Sequence, residues 1–186
     1  MRVAIVLAAG ASRRFGRRDK LGARLRDRSL LDHALANASA SGARRVILVS
    51  SRPVYRRGIV SVRARQAHRG LSASLAAGLA ALRPIEREVL IFLADMPFAR
   101  APRMTIPPAM DATRPSFAGL PGHPVLVRVS AARARLAHDD GGLALRPRTA
   151  FVRGGPHNLI DIDTPAELRR MRGNGSYRFG PRSRAT

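Results

Sequence analysis

The chain has no cysteine in 186 residues, and Lys20 is the single lysine among its 34 basic side chains. The first absence excludes disulfides, thiolate metal sites and a thiol nucleophile, and it suits a reducing compartment. Aromatic residues make up only 4%, with Phe15, Tyr55, Phe92 and Phe98 the four that precede Pro102. That scarcity argues against a platform of aromatic rings on which single-stranded nucleic acid stacks. No apolar run approaches the ~20 residues of a membrane-spanning helix, so no membrane partner is expected. Two phosphate-loop signatures are missing as well: Gly10 and Gly16 lack the G-x-G-x-x-G spacing, and no G-K-[ST] follows a four-residue gap.

Acids are few, 12 against 34 bases, and the formal net charge is +22. Such a balance suits a nucleic acid, an anionic membrane surface or a small polyanionic substrate. The arginines are scattered along the whole chain, and nucleic acid is not the expected partner. The length fits one domain with a real core. Its bounds are read as 1–172, followed by a basic, aperiodic tail over 173–186 expected to be disordered. Arg2, the apolar run Val3 to Ala9 and Ala9-Gly10-Ala11 imitate a short signal peptide. A single leading arginine and an arginine cluster directly behind the apolar run argue against it, and a cytoplasmic location is expected.

The first twenty residues organise the rest. Val3 to Leu7 is a β-branched apolar run, the pattern of a strand buried on both faces. It ends in Ala8-Ala9-Gly10, followed by Ser12, Arg13, Arg14, Arg17, Arg18 and Lys20. A buried strand feeding a small-residue turn is where an α/β sheet places its ligand, and backbone N–H groups there can cradle phosphate. The same pattern also suits an ordinary turn beside a solvated basic patch. Retention of one lysine among so many arginines favours the first reading, because a compact ammonium on a flexible stem suits phosphate oxygens.

Ser29 is placed as N-cap of a helix with the stripe Leu30, Leu31, Ala34, Leu35 and Ala38, closed by Gly42. Val46 to Val49 and Ile59 to Val62 read as strands, which gives the βαβ pattern of a parallel sheet. Gly70 to Leu75 opens a second helix with Ser72 or Ser74 as cap, and Gly78 inside it implies close packing. Val89 to Ala94 is the most apolar strand and ends in Asp95, an exposed position that favours a metal ligand over a structural acid. Residues 98–113 read as loop, Val125 to Val129 as strand with His123 in the turn before it, and Ser130 to Ala137 as a short helix. Asn158 to Pro165 combines a short strand, two acids and a helix start: Asp161 and Asp163 point the same way if the strand continues, and Thr164 caps a helix that begins at Pro165.

Five stretches occur in order: L-A-A-G-A-S-R-R-F-G-R-R-D-K-L (Leu7 to Leu21), G-L-S-A-S-L-A-A-G (Gly70 to Gly78), L-A-D-M-P (Leu93 to Pro97), G-H-P-V-L (Gly122 to Leu126) and D-I-D-T-P-A-E-L (Asp161 to Leu168). Together they resemble the nucleotidyltransferases that attach a nucleotide to molybdopterin, the molybdenum cofactor cytidylyl- and guanylyltransferases and their relatives. The resemblance implies a Rossmann-like, three-layer αβα fold with a mostly parallel sheet. It implies that Leu7, Ala8, Ala9, Gly10, Ser12, Arg14 and Lys20 bind the triphosphate, with Gly70, Ser72 and Ser74 closing over base or ribose. Lys20, Arg14 and Asp95 are then the catalytic set, and Asp95 and Asp163 the Mg²⁺ ligands. The L-A-A-G form of the first loop resembles the cytidylyl branch, implying CTP rather than GTP.

The acceptor implied is molybdopterin, with a molybdoenzyme or a chaperone as the kind of protein client. A sugar phosphate acceptor is the first alternative. A basic nucleic-acid-binding protein with a degenerate nucleotide site is the second. Two departures from the pattern stand out. Pro107-Pro108 falls where relatives have a helix, and D-D-G-G-L-A replaces G-D-x-G-A-R around Asp140.

Overall fold

The computed structural model describes residues 1–10, 15, 19–136 and 148–173. Ser12, Arg14, Asp140 and the basic tail from Asn174 lie outside the described residues. Strand β1 (Arg2–Ala8) leads to a two-residue hairpin, β2 (Arg24–Leu25) and β3 (Arg28–Ser29), and then to helix α1 (Leu30–Ser39). Strands β4 (Val46–Ser50) and β5 (Ile59–Arg63), helix α2 (Leu71–Ala80) and strand β6 (Glu88–Leu93) complete the first half. The second half holds β7 (Ala112–Phe117), β8 (Leu120–Pro121), β9 (Val125–Arg128), α3 (Val129–Leu136), β10 (Thr149–Arg153) and α4 (Pro165–Gly173).

The main sheet runs β10-β7-β9-β6-β1-β4-β5, with β8 attached to β7. β1 is parallel to both β4 and β6, and β4 to β5. β9 alone on that path runs against its neighbours β6 and β7, while β10 is parallel to β7. The chain steps from β1 to one side, through β4 and β5, and then returns to β6 on the other side. That reversal next to β1 is the switch point where such sheets open a crevice at their carboxyl ends.

Alternation along β1 explains its unbroken apolar run. Val3, Ile5 and Leu7 pack under α2 and α3 with Leu75, Leu79 and Ala132. Ala4, Val6 and Ala8 pack on the opposite face against Leu31, Ala34 and Leu35 of α1. This is the expected three-layer αβα arrangement, with a mostly parallel sheet. Gly78 lies where α2 crosses β1 and β4, and a Cβ there would stand 3.0 Å from Val49 and 3.1 Å from Ile5. A third cluster joins the hairpin to α4 through Leu25, Leu30, Ile162, Leu168 and Met171. Among the described residues, no helix is long and apolar enough to cross a membrane.

Three expectations need correction. Asn158 to Ile162 is not a strand: Pro156–Asn158 forms a 3₁₀ turn and the chain then runs irregularly into α4. The Asn158 amide takes over the local hydrogen bonding, donating to the carbonyls of Arg100 and His123 at 2.8 and 2.6 Å. The shared direction of Asp161 and Asp163 therefore cannot be argued from strand alternation. The cap of α2 is Gly70, with φ 110° and no side-chain cap bond, rather than Ser72 or Ser74. Finally, β7 and β10 are strands where none was expected. Arg114 and Pro115 break the apolar pattern of β7, yet Pro115 still accepts at 2.7 Å from the Gly122 N–H.

Candidate active site

Three chain segments far apart in sequence meet at the carboxyl edge of the sheet. β1 delivers Ala8, Ala9 and Gly10, the first two buried. Among the described residues, a Cβ added to Gly10 would meet nothing within 4 Å, which leaves the backbone there open to a ligand. β6 delivers Asp95, one residue past an Ala94 N–H that continues the ladder onto the Leu7 carbonyl at 3.0 Å. The start of α4 delivers Asp163. There Glu167 accepts from the N–H groups of Asp163 and Thr164 at 2.8 and 2.9 Å, and the Thr164 hydroxyl accepts from the Glu167 N–H at 3.2 Å. This reciprocal cap fixes where α4 begins. The Ile162 N–H donates to the Asp95 carbonyl at 2.9 Å and ties the two acidic segments together.

Lys20 sits between the acids. Its ammonium donates to Asp163 Oδ1 at 2.7 Å and to Asp95 Oδ2 at 3.0 Å. The lysine side chain is 7% exposed, against 32% for Asp95 and 31% for Asp163. Burial alone works against the charged amine, but the charges and hydrogen bonds of Asp95 and Asp163 together outweigh it. Its pKa stands above the ordinary lysine value.

Two carboxylates turned towards one cation form the donor set that a divalent, oxygen-seeking ion uses, with phosphate oxygens and water completing the shell. The residues fit such an ion, and the lysine ammonium stands in for it here. Among the described residues, no group of three or more His, Cys, Asp or Glu side chains gathers to hold a metal. Asp95 and Asp163 are the residues here that could hold such an ion.

Space for a substrate opens on both sides of the β4 end. A cleft of about 790 Å³ runs past Ala8, Gly10, Asp19, Ser51, Tyr55 and Arg56. A second, of about 530 Å³, is bounded by Ser51, Arg63, Arg65 and His68. Ser51 and Arg63 border these clefts and stand at the ends of β4 and β5, while Tyr55 and His68 reach them from the loops beyond. Position at a strand end, which marks Asp95, marks Ser51 and Arg63 as well. Gly70, Ser72 and Ser74 open α2 as expected. Ser74 is buried, however, and its hydroxyl donates to the Gly70 carbonyl at 3.4 Å.

His123 lies at the same edge. Val125 pairs with Ile91, which puts His123 alongside the end of β6. Its backbone is clamped by Asn158: the His123 N–H donates to the Asn158 carbonyl at 2.9 Å. Gly122 is held as tightly, for a Cβ there would lie 2.6 Å from that same carbonyl oxygen. Among the described residues, buried His123 Nδ1 finds no hydrogen-bond partner. Burial, reinforced by the Arg114 charge and opposed by a backbone hydrogen bond at Ile91, lowers the His123 pKa to about 4.

Lowering it below the unfolded value of ~6.5 means that the unfolded chain takes up this proton first. The resulting stability is complete above pH ~6.5 and is lost as the pH falls towards ~4. His123→Gln is expected to shrink the drop in Tm between pH 7 and pH 5, as scanning calorimetry would measure. An unchanged drop would rule out this contribution.

A mostly parallel sheet with a small-residue loop, a buried lysine and two carboxylates at its switch point defines a nucleotide-handling α/β fold. The family pattern of the MobA-like NTP transferase domain matches residues 4–152, and the chain belongs to that family. No curated protein sequence matches it. Among solved structures, Rv0371c from Mycobacterium tuberculosis H37Rv is 24% identical, with a TM-score of 0.76 over 93% of this chain and 98% of that one. Rv0371c also occurs in a complex with manganese. The 2-C-methyl-D-erythritol 4-phosphate cytidylyltransferase of Thermus thermophilus is 19% identical, with a TM-score of 0.64 over 90% and 96%. Molybdopterin-guanine dinucleotide biosynthesis protein A of Archaeoglobus fulgidus is 20% identical, with a TM-score of 0.61 over 92% and 97%.

Proposed function

We propose that this member of the family transfers CMP from CTP to the phosphate of a molybdopterin-type acceptor in the cytoplasm. The observation that carries the reading is the meeting of Lys20, Asp95 and Asp163 beside the loop Ala8-Ala9-Gly10. Residues 1–172 are the catalytic domain in this reading, and 173–186 a basic tail outside it. Leu7, Ala8, Ala9, Gly10 and Ser12 line the triphosphate, Arg14 and Lys20 take its phosphates, and Gly70, Ser72 and Ser74 close over base or ribose. Ser74 supports that turn from within, since its hydroxyl and its N–H both donate to the Gly70 carbonyl at 3.4 Å.

An oxygen of the acceptor phosphate attacks the α-phosphorus in line, and the bond to the bridging oxygen breaks with its electrons leaving on pyrophosphate. Arg14 and Lys20 stabilise the charge that builds on the departing group. A Mg²⁺ ion held by Asp95 and Asp163 supplies neutralisation of phosphate oxygens when bound. The acceptor is already an oxyanion, so the site needs no strong general base.

The likeness to a cytidylyltransferase named for an erythritol phosphate, of the same order as that to the molybdopterin protein, favours one second reading: a sugar phosphate acceptor. Pyrophosphate release separates the two when measured with CTP and with GTP, each with molybdopterin, with sugar phosphates and with neither. CTP with molybdopterin is expected to give the fastest release. Use of GTP at least as well as CTP would overturn the nucleotide assignment. Release with sugar phosphate alone would overturn the acceptor. Ala9, buried where guanylyl relatives carry glycine, is the expected determinant, and Ala9→Gly should weaken the CTP preference.

A further inference from the structure

Resting on the nucleotidyl-transfer reading, we propose that Lys20 is a displaceable plug. Its ammonium closes the cation position between Asp95 and Asp163 until a nucleoside triphosphate draws it away, so the metal enters with the nucleotide and not before it. One oxygen of each carboxylate that would hold a divalent ion is already engaged by a buried ammonium, Asp163 Oδ1 at 2.7 Å and Asp95 Oδ2 at 3.0 Å. A magnesium ion takes its oxygens at about 2.1 Å, so an ion on the same two carboxylates would stand within roughly 4 Å of the ammonium and be repelled by it.

Nucleotide-free protein gives the metal little reason to win. The pair provides two carboxylates, and Mg²⁺ reaches its octahedral shell through substrate phosphates and water. A triphosphate changes both sides of the exchange at once. It brings the missing oxygen ligands, and it offers the ammonium a denser anion than the carboxylates it gives up.

The described backbone around Lys20 is held by its own hydrogen bonds. The Lys20 carbonyl accepts from the Ala23 N–H at 3.2 Å, the Leu21 N–H donates to Asp19 Oδ1 at 3.1 Å, and the Leu31 N–H donates to the Leu21 carbonyl at 3.1 Å. Those bonds hold the main chain from Asp19 to Ala23, so release of the ammonium falls to its four-carbon stem. This also gives a physical reason for lysine in a chain that otherwise uses arginine: a planar five-donor fork held by two carboxylates is harder to release than a point charge.

Two measurements on the full chain test the plug. Mn²⁺ binding, followed by the electron spin resonance signal of the free ion without nucleotide, should be about tenfold tighter or more for Lys20→Met than for wild type. The apparent affinity rises as the blocked fraction of sites is removed. Adding Asp95→Asn to Lys20→Met should cancel the gain.

In wild type labelled with ¹³Cε-lysine, the single lysine gives one side-chain signal. Mg²⁺ alone should leave it in place, and Mg²⁺ with α,β-methylene-CTP should shift it. Equal Mn²⁺ affinity of wild type and Lys20→Met, or a lysine signal that Mg²⁺ alone displaces, overturns the plug. The Mn²⁺ comparison needs no nucleotide. Failure of α,β-methylene-CTP and its GTP counterpart to bind wild type would instead defeat the nucleotidyl-transfer reading.

Discussion

Asp95→Asn is expected to cut Mg²⁺-dependent turnover about a hundredfold or more, in the range seen when one charge-stabilising contact is removed from a transition state. Asparagine keeps the shape but removes half of the anionic pair that faces the cation position. An exposed metal ligand viewed on its own contributes little to packing, and from that view the fold would be indifferent to the change. The ion pair modifies that view. Lys20 would keep one carboxylate where it had two, and a buried ammonium with a weakened partner shell lowers stability.

A drop in Tm alongside the loss of turnover is therefore the expected pair of results. Circular dichroism at the assay temperature would show the fraction folded. Asp27→Asn, at a side chain 72% exposed in the β2–β3 hairpin, should change neither quantity. Normal turnover in folded Asp95→Asn would remove the metal assignment.

The second large effect lies at the opposite edge of the sheet. Glu86, with a side chain 2% exposed, accepts from Arg45 at 2.6 and 2.7 Å through both carboxylate oxygens, and from the Arg83 N–H at 2.7 Å. Arg45 also donates to the Ala81 carbonyl at 2.9 Å, so one ion pair joins the end of α2 to the approaches of β4 and β6. Glu86→Ala strands the guanidinium and should cost about 3–5 kcal/mol, roughly 10 °C in Tm for a chain of this size.

The Arg45 hydrogen bonds, opposed by burial and helped by Arg83, hold the Glu86 carboxyl below its ordinary pKa of 4.5. A depressed acid stabilises fully above its unfolded pKa and loses that contribution as the pH falls through the folded value. The gap in Tm between wild type and Glu86→Ala should thus be constant above pH ~5 and close below it. A gap that persists unchanged at pH ~3 would mean that packing, not the ion pair, supplies the difference.

The central strands were readable in the sequence because β1, β4 and β6 are buried on both faces and leave unbroken apolar runs. Helix α1 was readable too: the Ser29 hydroxyl accepts from the Asp32 N–H at 3.0 Å, as an N-cap should. The edge strands were not. β10 leaves Phe151 58% exposed, and β7 carries Arg114 and Pro115, so neither shows the alternation that marks a strand.

Leu159, Ile160 and Ile162 misled in the other direction. Their apolar pattern suggested a strand, but Ile162 is buried in the cluster beneath α4, and its N–H goes to Asp95 instead of a ladder. Lys20, Asp95 and Asp163 were each singled out, the lysine for phosphate and the acids for metal. Their joining was invisible, since the partners lie 75 and 143 positions from Lys20 and nothing local encodes which anion the amine faces.

Asn158 has a practical consequence for anyone who would retarget this fold. One amide holds the Arg100 and His123 carbonyls and accepts from the Gly155 N–H at 3.0 Å, while its own carbonyl receives the His123 N–H. Three surface segments are therefore bolted to one residue that is 1% exposed. A library that varies the segment around His123, or the one around Arg100, samples loops whose far ends cannot shift independently. Transplanting a single loop from a relative would import side chains without the geometry that aimed them. The exchangeable unit is the three segments together with their asparagine.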